Sequence, residues 1–432
     1  MTTMTSSNDS PDERTPLTGR KKRKLLFSAG LSWLFDAMDV GMVSFIVAAL
    51  VVDWNLTARE VGWVTAINSI GMAAGAAVAG SLADRYGRKS VLLWTLLIFS
   101  VASGLSAVAA SFAVLCILRF VAGFGLGGEL PVASTLVSES VPAADRGRYV
   151  VLLESFWAIG WILSALISFF LIPEYGWRIA FLIGALPALY ALYLRRSISD
   201  SPRFAAQQGP KPSFRDRVKS VWAREHRRTT LTLWVLWFTV VFSYYGIFLW
   251  LPTVMGRMGF DLVKSFEYVL IITLAQLPGY FTAAYLIEKF GRKFVLVCYL
   301  LLTAVSALGF GLSKTEGALL AMGICLSFFN LGAWGAMYAY TPENYPTAIR
   351  STGVGLAASF GRVGGVIGPY LVGELVARNV SISIIFSVFF AAIIIGALAV
   401  WIWGEETKGT EPDRRWEEDS KRSRNKVHAT AR

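Results

Sequence analysis

The sequence predicts an all-α polytopic membrane protein, with twelve transmembrane helices in two six-helix halves that repeat in parallel. Three observations predict it. Of 432 residues only 16% are charged and 55% are apolar, with a mean hydropathy of +0.53, whereas an ordinary soluble chain carries about 25% charge. The charges sit in short clusters between uncharged runs of roughly 20 residues, the length that crosses a hydrocarbon core about 30 Å thick. Finally, two charged motifs recur at one constant offset of 204 positions.

Residues 1–24 form a polar tail. The first half, 25–194, holds predicted spans near 25–50, 60–83, 90–110, 113–137, 149–172 and 176–194. An Arg/Lys-rich linker covers 195–229. The second half, 230–403, holds spans near 230–256, 266–287, 294–313, 317–341, 354–377 and 381–403, and 404–432 is a second tail. Runs this long must pair their backbone groups internally, which makes them helices. Barrel strands would alternate, and Val91–Phe99 or Ser381–Val400 do not.

With both tails on one side, that side gathers 33 Lys and Arg against 6 in the opposite loops. This asymmetry places the termini and the linker in the cytoplasm of a cell with a multi-pass inner (plasma) membrane protein. The net charge of +12 is then topology and contact with anionic lipid, not a nucleic-acid surface. The segment from Leu25 is too long, and too acidic at Asp36 and Asp39, for a cleavable signal. Cys116, Cys298 and Cys325 lie in apolar runs, which predicts no disulfide framework. The only histidines are His226 and His428, so no histidine metal site, cofactor or nucleophile–base set is expected. That argues against an enzyme.

The repeat is explicit. Asp84-Arg85-Tyr86-Gly87-Arg88-Lys89 returns as Glu288-Lys289-Phe290-Gly291-Arg292-Lys293, and Glu139, Pro142 and Arg146 return as Glu343, Pro346 and Arg350. Two halves joined by a basic linker is the parallel-repeat plan of secondary transporters.

The run from Gly80 to Lys89 resembles the first cytoplasmic signature of the major facilitator superfamily, and Arg119-Phe-Val-Ala-Gly123-Phe-Gly125-Leu-Gly127 resembles its fourth-helix signature. Asp200-Ser201-Pro202-Arg203-Phe204 and Glu405-Glu406-Thr407-Lys408-Gly409 are similar to sugar-porter blocks, without their usual leading proline. Over nearly the whole chain apart from the tails, the likeness narrows to bacterial niacin (nicotinate) permeases, with aromatic-acid and organic-ion carriers as near relatives. It rests on Trp33–Gly41, Gly128–Ser134, Leu153–Trp157, Phe242–Gly246, Ala275–Tyr280 and Ser327–Gly335. The resemblance implies a transporter importing a small aromatic monocarboxylate, nicotinate first, by proton symport through alternating access, functional as a monomer. A sugar, another aromatic acid or an organic cation is the alternative cargo. It also implies that Asp84, Arg85, Gly87, Arg88, Glu139 and Arg146 latch the halves at their cytoplasmic ends, with Glu288, Arg292, Glu343 and Arg350 as second copies.

Ionisable side chains within spans are costly and therefore point to function. Asp39 lies about 14 residues into the first helix, roughly 20 Å from its cytoplasmic end, and Arg119 enters from the other side to a neighbouring depth. The pair either couples protons to transport or statically holds the first half together, with Asp36 as the alternative proton carrier. The resemblance adds that Asp39 and Arg119 match the coupling pair of sugar–proton symporters. Glu154 shares a helical face with Trp157 and Trp161 and can gate, or pair with Arg119 or with the second half. Glu129, between Gly128 and Pro131, reads as a hydrogen-bonding residue at a helix bend.

Arg362 has no acid within a turn of its own helix and offers a bidentate fork to a carboxylate, unless it snorkels to the surface. Asn330, Trp334 and Tyr338 share one face and suit a flat heteroaromatic ring. Gln276 adds an amide, and Trp157, Tyr244 and Tyr245 add rings. Trp54, Trp63, Trp401 and Trp403 fall near span ends, where an interfacial belt is expected. Glycines 71, 75, 80, 361, 364, 365 and 368 permit close helix contacts, for sliding or for plain packing.

Overall fold

The computed structural model describes residues 19–86, 88–140, 146–197, 214–346 and 349–408. Among these residues there are sixteen helices and no strand. The first seven are α1 (Gly19–Asp53), α2 (Ala58–Tyr86), α3 (Arg88–Ser106), α4 (Phe112–Ser140), α5 (Arg146–Tyr175), α6 (Arg178–Ile183) and α7 (Pro187–Ser197). A short linker helix, α8 (Phe214–Val221), precedes α9 (Arg227–Phe248), α10 (Leu251–Arg257), α11 (Leu262–Leu274) and α12 (Gln276–Phe290). Then follow α13 (Arg292–Leu312), α14 (Glu316–Glu343), α15 (Arg350–Ala377) and α16 (Ile382–Trp403).

Several helix starts are fixed by side-chain caps. Asp261 accepts the Lys264 N–H at 2.9 Å, and Thr315 and Ser381 cap α14 and α16 in the same way. Such a cap satisfies one of the amides a helix leaves unpaired at its first turn.

Three expected spans are broken rather than continuous. In 176–194 the chain tightens to three-residue turns, Ala185 to Leu182 and Leu186 to Ile183, ahead of Pro187, which lacks an amide proton and clashes with a preceding carbonyl. The expected helix 230–256 tightens at Trp250 just before Pro252, and 266–287 does so at Ala275 before Pro278. Proline explains each break. α1 also begins earlier than expected, at Gly19, so part of the 1–24 tail is helical.

Nine segments among the described residues are long and apolar enough to cross a membrane: those within α1, α3, α4, α5, α9, α13, α14 and α16, and α11 with α12 taken together. α2 and α15 are long enough but diluted by Gly, Ala and Ser. The reason lies in what they touch. α2 and α15 pack along one another. At their far ends from the chain termini, a methyl group on Gly62 would lie 3.3 Å from the Gly373 Cα. Small residues at such a contact let backbones approach.

Helix pairings recur along the chain. α1 packs on α5, α2 on α4 and α3 on α4; later, α9 packs on α15, α12 on α14 and α13 on α14. The two sets meet where α2 lies on α15, where α5 lies on α11, α12 and α14, and where α1 meets α10. Gly123 and Gly127 of the fourth-helix motif have no room for a Cβ against the Asn68 and Met72 carbonyls of α2, and Gly71 and Gly75 have none against the Phe120 and Phe124 carbonyls of α4. Gly361, Gly364 and Gly368 pack on α9. These glycines therefore serve packing inside each set. Gly365 also approaches the other set, with Ser69 Oγ 3.7 Å from where its Cβ would be.

Candidate functional site

The polar centre of the first set is built by α1, α3, α4 and α5. Asp39 and Arg119 form the expected ion pair at 3.1 Å, both buried. The break between α6 and α7 makes room for it, because a Cβ on Gly184 would run into Ser103 and lie 3.3 Å from Asp39 Oδ1. Ser103 donates to Asp39 Oδ1 while Arg119 holds Oδ2, Arg119 also donates to Ser106 Oγ at 3.0 Å, and the guanidinium lies 4.6 Å from the Phe181 ring centroid. Each Asp39 oxygen thus has a donor, and a buried charge paired in this way is tolerated.

One turn away the situation reverses. Asp36 faces Glu129 of α4, both wholly buried, and none of their four oxygens accepts a hydrogen bond. Glu154 is buried and likewise unbonded. It does not pair with Arg119. The indoles of Trp33 and Trp334 are turned towards it without closing a hydrogen bond, and it lies within the field of Arg362.

The second set supplies the rings. Tyr244 and Tyr245 come from α9, Gln276 and Tyr280 from α12, Asn330, Trp334 and Tyr338 from α14, and Arg362 from α15. Arg362 is half-buried and donates to the Tyr245 hydroxyl at 2.9 Å, with Met72 Sδ of α2 at 3.7 Å. It does not snorkel. Trp157 crosses from α5: its indole donates to Tyr244 at 2.7 Å and stacks on Trp334 at 6.5 Å and 12°. Trp334 also lies 5.0 Å from Tyr244 and 6.0 Å from Tyr338. The two sets therefore meet in a cluster of aromatic rings, beside Arg362 on one flank and Glu154 on another.

Gln276 and Asn330 are buried, with both Gln276 polar atoms and Asn330 Oδ1 unbonded. Buried amides without partners are expensive, so these helices hold hydrogen-bonding capacity that packing does not use. Residues missed from sequence belong here too. Trp33, three positions before Asp36, lies 4.8 Å from Trp157, and Tyr280, four positions after Gln276, is buried with an unbonded hydroxyl that faces Glu154. The i, i+3 and i, i+4 spacings were the available signal.

Of the signature residues, Gly87 lies outside the described residues, as do the side chains of Asp84, Arg85, Arg88, Glu139 and Arg146. The second copies are described. Arg292 pairs with Glu288 at 2.8 Å and Glu343 at 3.3 Å, and Glu343 accepts from Thr407 at 2.5 Å. Glu406 receives the Arg292 and Lys293 amides at 2.7 and 3.1 Å, and Arg350 donates to the Tyr345 carbonyl at 3.2 Å. These contacts all lie within 288–408. The block at 405–408 thus fastens the start of α13 to the end of α14. At the opposite ends, Arg59 of α2 pairs with Glu374 of α15 at 3.0 Å, and Trp63 packs on Tyr370. Among the described residues no cluster of His, Cys, Asp or Glu suits a metal ion.

The family model described as Major Facilitator Superfamily matches residues 29–279 and 268–429. The NiaP protein of Bacillus subtilis (strain 168), provisionally assigned as a niacin/nicotinamide transporter, is 60% identical over 390 residues, covering 90% of this chain and 98% of its own. The niacin transporter NiaP of Acinetobacter baylyi is 44% identical over 425 residues, covering 92% and 97%. A D-xylose–proton symporter crystal structure superposes with a TM-score of 0.74 at 19% identity, over 90% of this chain and 99% of that one. The xylose transporter XylE of E. coli, partially occluded and inward open, gives 0.73 at 19% identity, over 91% and 100%. At that identity the structures speak to the fold alone. The chain belongs to the major facilitator superfamily: it is a secondary transporter closely related to the bacterial niacin permeases, not an enzyme.

Proposed function

We propose that the protein imports nicotinate, as a small aromatic monocarboxylate, together with a proton by alternating access. The observation that carries this reading is the juxtaposition of a Tyr245-anchored guanidinium, Arg362, with the stacked rings of Trp157, Trp334 and Tyr244. A planar carboxylated ring needs those two features together: a bidentate cation for its charge and aromatic faces for its plane. The names of both relatives include niacin, and the Bacillus subtilis one adds nicotinamide. Tyr338, Asn330 and Gln276 complete the substrate site, the amides answering the ring nitrogen. Asp36, Asp39, Arg119 and Glu154 form the proton-coupling set.

The helices are proposed to make twelve crossings in two halves, 25–194 and 230–403, with α6 and α7 together as the sixth, α9 with α10 as the seventh, and α11 with α12 as the eighth. Both termini and the linker 195–229 face the cytoplasm, and the protein acts as a monomer in the plasma membrane. The charged signature loops latch the cytoplasmic ends, and Arg59 with Glu374 closes the opposite ends.

Counterflow in proteoliposomes tests the cargo without assuming a driving force. Labelled nicotinate should exchange with unlabelled nicotinate and with benzoate, and weakly with nicotinamide. Exchange driven by glucose or choline would instead support the sugar or organic-cation reading.

A further inference from the structure

The two carboxyl groups of Asp36 and Glu129 differ from every other acid in the protein's centre. They face one another across the contact of α1 with α4, wholly buried, and no donor reaches any of their oxygens. Two carboxylates bring only acceptors to such a contact, so a bond between them requires a proton. Two like charges this close in a water-excluded site do not both ionise. The Ser32 hydroxyl, one turn before Asp36, is also fully buried, unbonded and directed at Glu129. It is a polar side chain pointed into the pair with no partner of its own.

The groups facing the pair decide how its proton can be moved. Asp39 lies on the same helix, but both its oxygens are engaged by Arg119 and Ser103. Tyr190 of α7 faces Glu129 and donates its hydroxyl to the Ser28 carbonyl at 2.9 Å. From the second set, Tyr245 and Arg362 face Asp36. α2, α3 and α5 also pack on α4; among their described residues Glu154 is the buried acid, and it faces Trp33, Trp334 and Arg362 rather than this pair. Among the described residues Arg362 is thus the cation that acts on both Asp36 and the ring cluster.

We propose that Asp36 and Glu129 form a shared-proton site, and that Asp36 competes with the substrate's carboxylate for Arg362. This rests on the reading above that Arg362 receives the substrate. With the site empty, the pair holds one proton and one negative charge, which Arg362 balances. When a substrate carboxylate claims Arg362, the pair loses its balancing cation and takes a second proton from water on the open side. Release of the substrate returns Arg362 to Asp36 and expels that proton. Charge balances in both states, so the transported unit is the anion with its proton and no net charge. Glu129 is a positioning residue: its carboxyl beside Asp36 sets the pH at which Asp36 takes the proton.

The test measures proton uptake when nicotinate is added to the purified, weakly buffered protein. The unmodified protein should take up about one proton per nicotinate bound. Asp36→Asn should bind nicotinate without that uptake. Glu129→Gln should still take up the proton, with a displaced pH profile. Equal uptake in Asp36→Asn, or an unmoved profile in Glu129→Gln, would overturn the proposal. A second measurement needs no substrate. The infrared carbonyl band of a protonated carboxylic acid should be present in the empty protein at neutral pH and be diminished in Glu129→Gln. Its absence from the empty protein overturns the shared proton even if nicotinate binds. Failure of nicotinate to bind, with the band present, overturns the cargo assignment instead.

Discussion

The two halves of the polar centre solve opposite problems. On the side of α1, α3, α4 and α5, five ionisable groups are buried at once: Asp36, Asp39, Arg119, Glu129 and Glu154. On the side of α9, α12, α14 and α15 the centre, among the described residues, holds one cation, Arg362, among tyrosines, tryptophans and two amides with unbonded atoms. Charge management lies in one set of helices and surface recognition in the other. On the proposed reading the cargo's carboxylate and ring both lie against the second side, at Arg362 and the stacked rings, and a proton held on the first side responds to them through Arg362. The comparison assigns different penalties to substitutions on the two sides.

The largest effect is expected at Arg119. Arg119→Ala leaves Asp39 buried without its cation, a loss of about 3–5 kcal/mol, which should appear as a lower unfolding temperature in detergent as well as lost uptake. Replacing both partners by apolar residues should recover much of that stability. If Arg119→Ala unfolds like the unmodified protein, the pair is not what holds the first side together.

Next comes Arg362. Truncation to Ala removes charge-assisted hydrogen bonds worth about 1.5–3 kcal/mol, roughly a ten- to 150-fold weaker nicotinate affinity. Lys should restore little, because it loses the fork. Competition by nicotinamide should change far less than competition by the acid. Parallel losses for both would shift recognition to the ring alone.

A smaller change is expected at Trp334, which stacks on Trp157. Trp334→Ala should weaken binding about two- to twelvefold, the worth of an aromatic contact of about 0.5–1.5 kcal/mol, while Trp334→Phe keeps most of it. Titration by tryptophan fluorescence reads this directly.

The smallest effect belongs to Arg59. Its pair with Glu374 is exposed, with 64% of the Arg59 side chain accessible, and solvent screening leaves such pairs little to contribute. Arg59→Ala should raise accessibility of cysteines introduced at the α2–α15 contact by a few-fold at most and leave the fold intact.

Much of this comparison is legible in the sequence, for identifiable reasons. Counting along their helices puts Asp39 and Arg119 at neighbouring depths, and the two meet as an ion pair. The 330/334/338 spacing likewise placed Trp334 beside Tyr338. Glu129 is misleading because Gly128 and Pro131 resemble a bend, whereas helical geometry carries its side chain to Asp36, 93 positions earlier on α1. That partnership has no local signature. Breaks at Pro187, Pro252 and Pro278 were signalled by the prolines but masked by the continuous apolar runs around them. The low hydropathy of α2 and α15 goes with close packing of their small residues, on α4 and α9 within each set and on one another at Gly62 and Gly373, and none of those partners is local in sequence.

The central claim is that an aromatic carboxylate and a proton move together. The most direct measurement is internal acidification in proteoliposomes that trap a pH-sensitive dye, with membrane potential clamped at zero and nicotinate added outside. Acidification should require nicotinate, be negligible with nicotinamide, and disappear in Asp36→Asn. Nicotinate entry without proton movement would make the protein a uniporter and rule out symport.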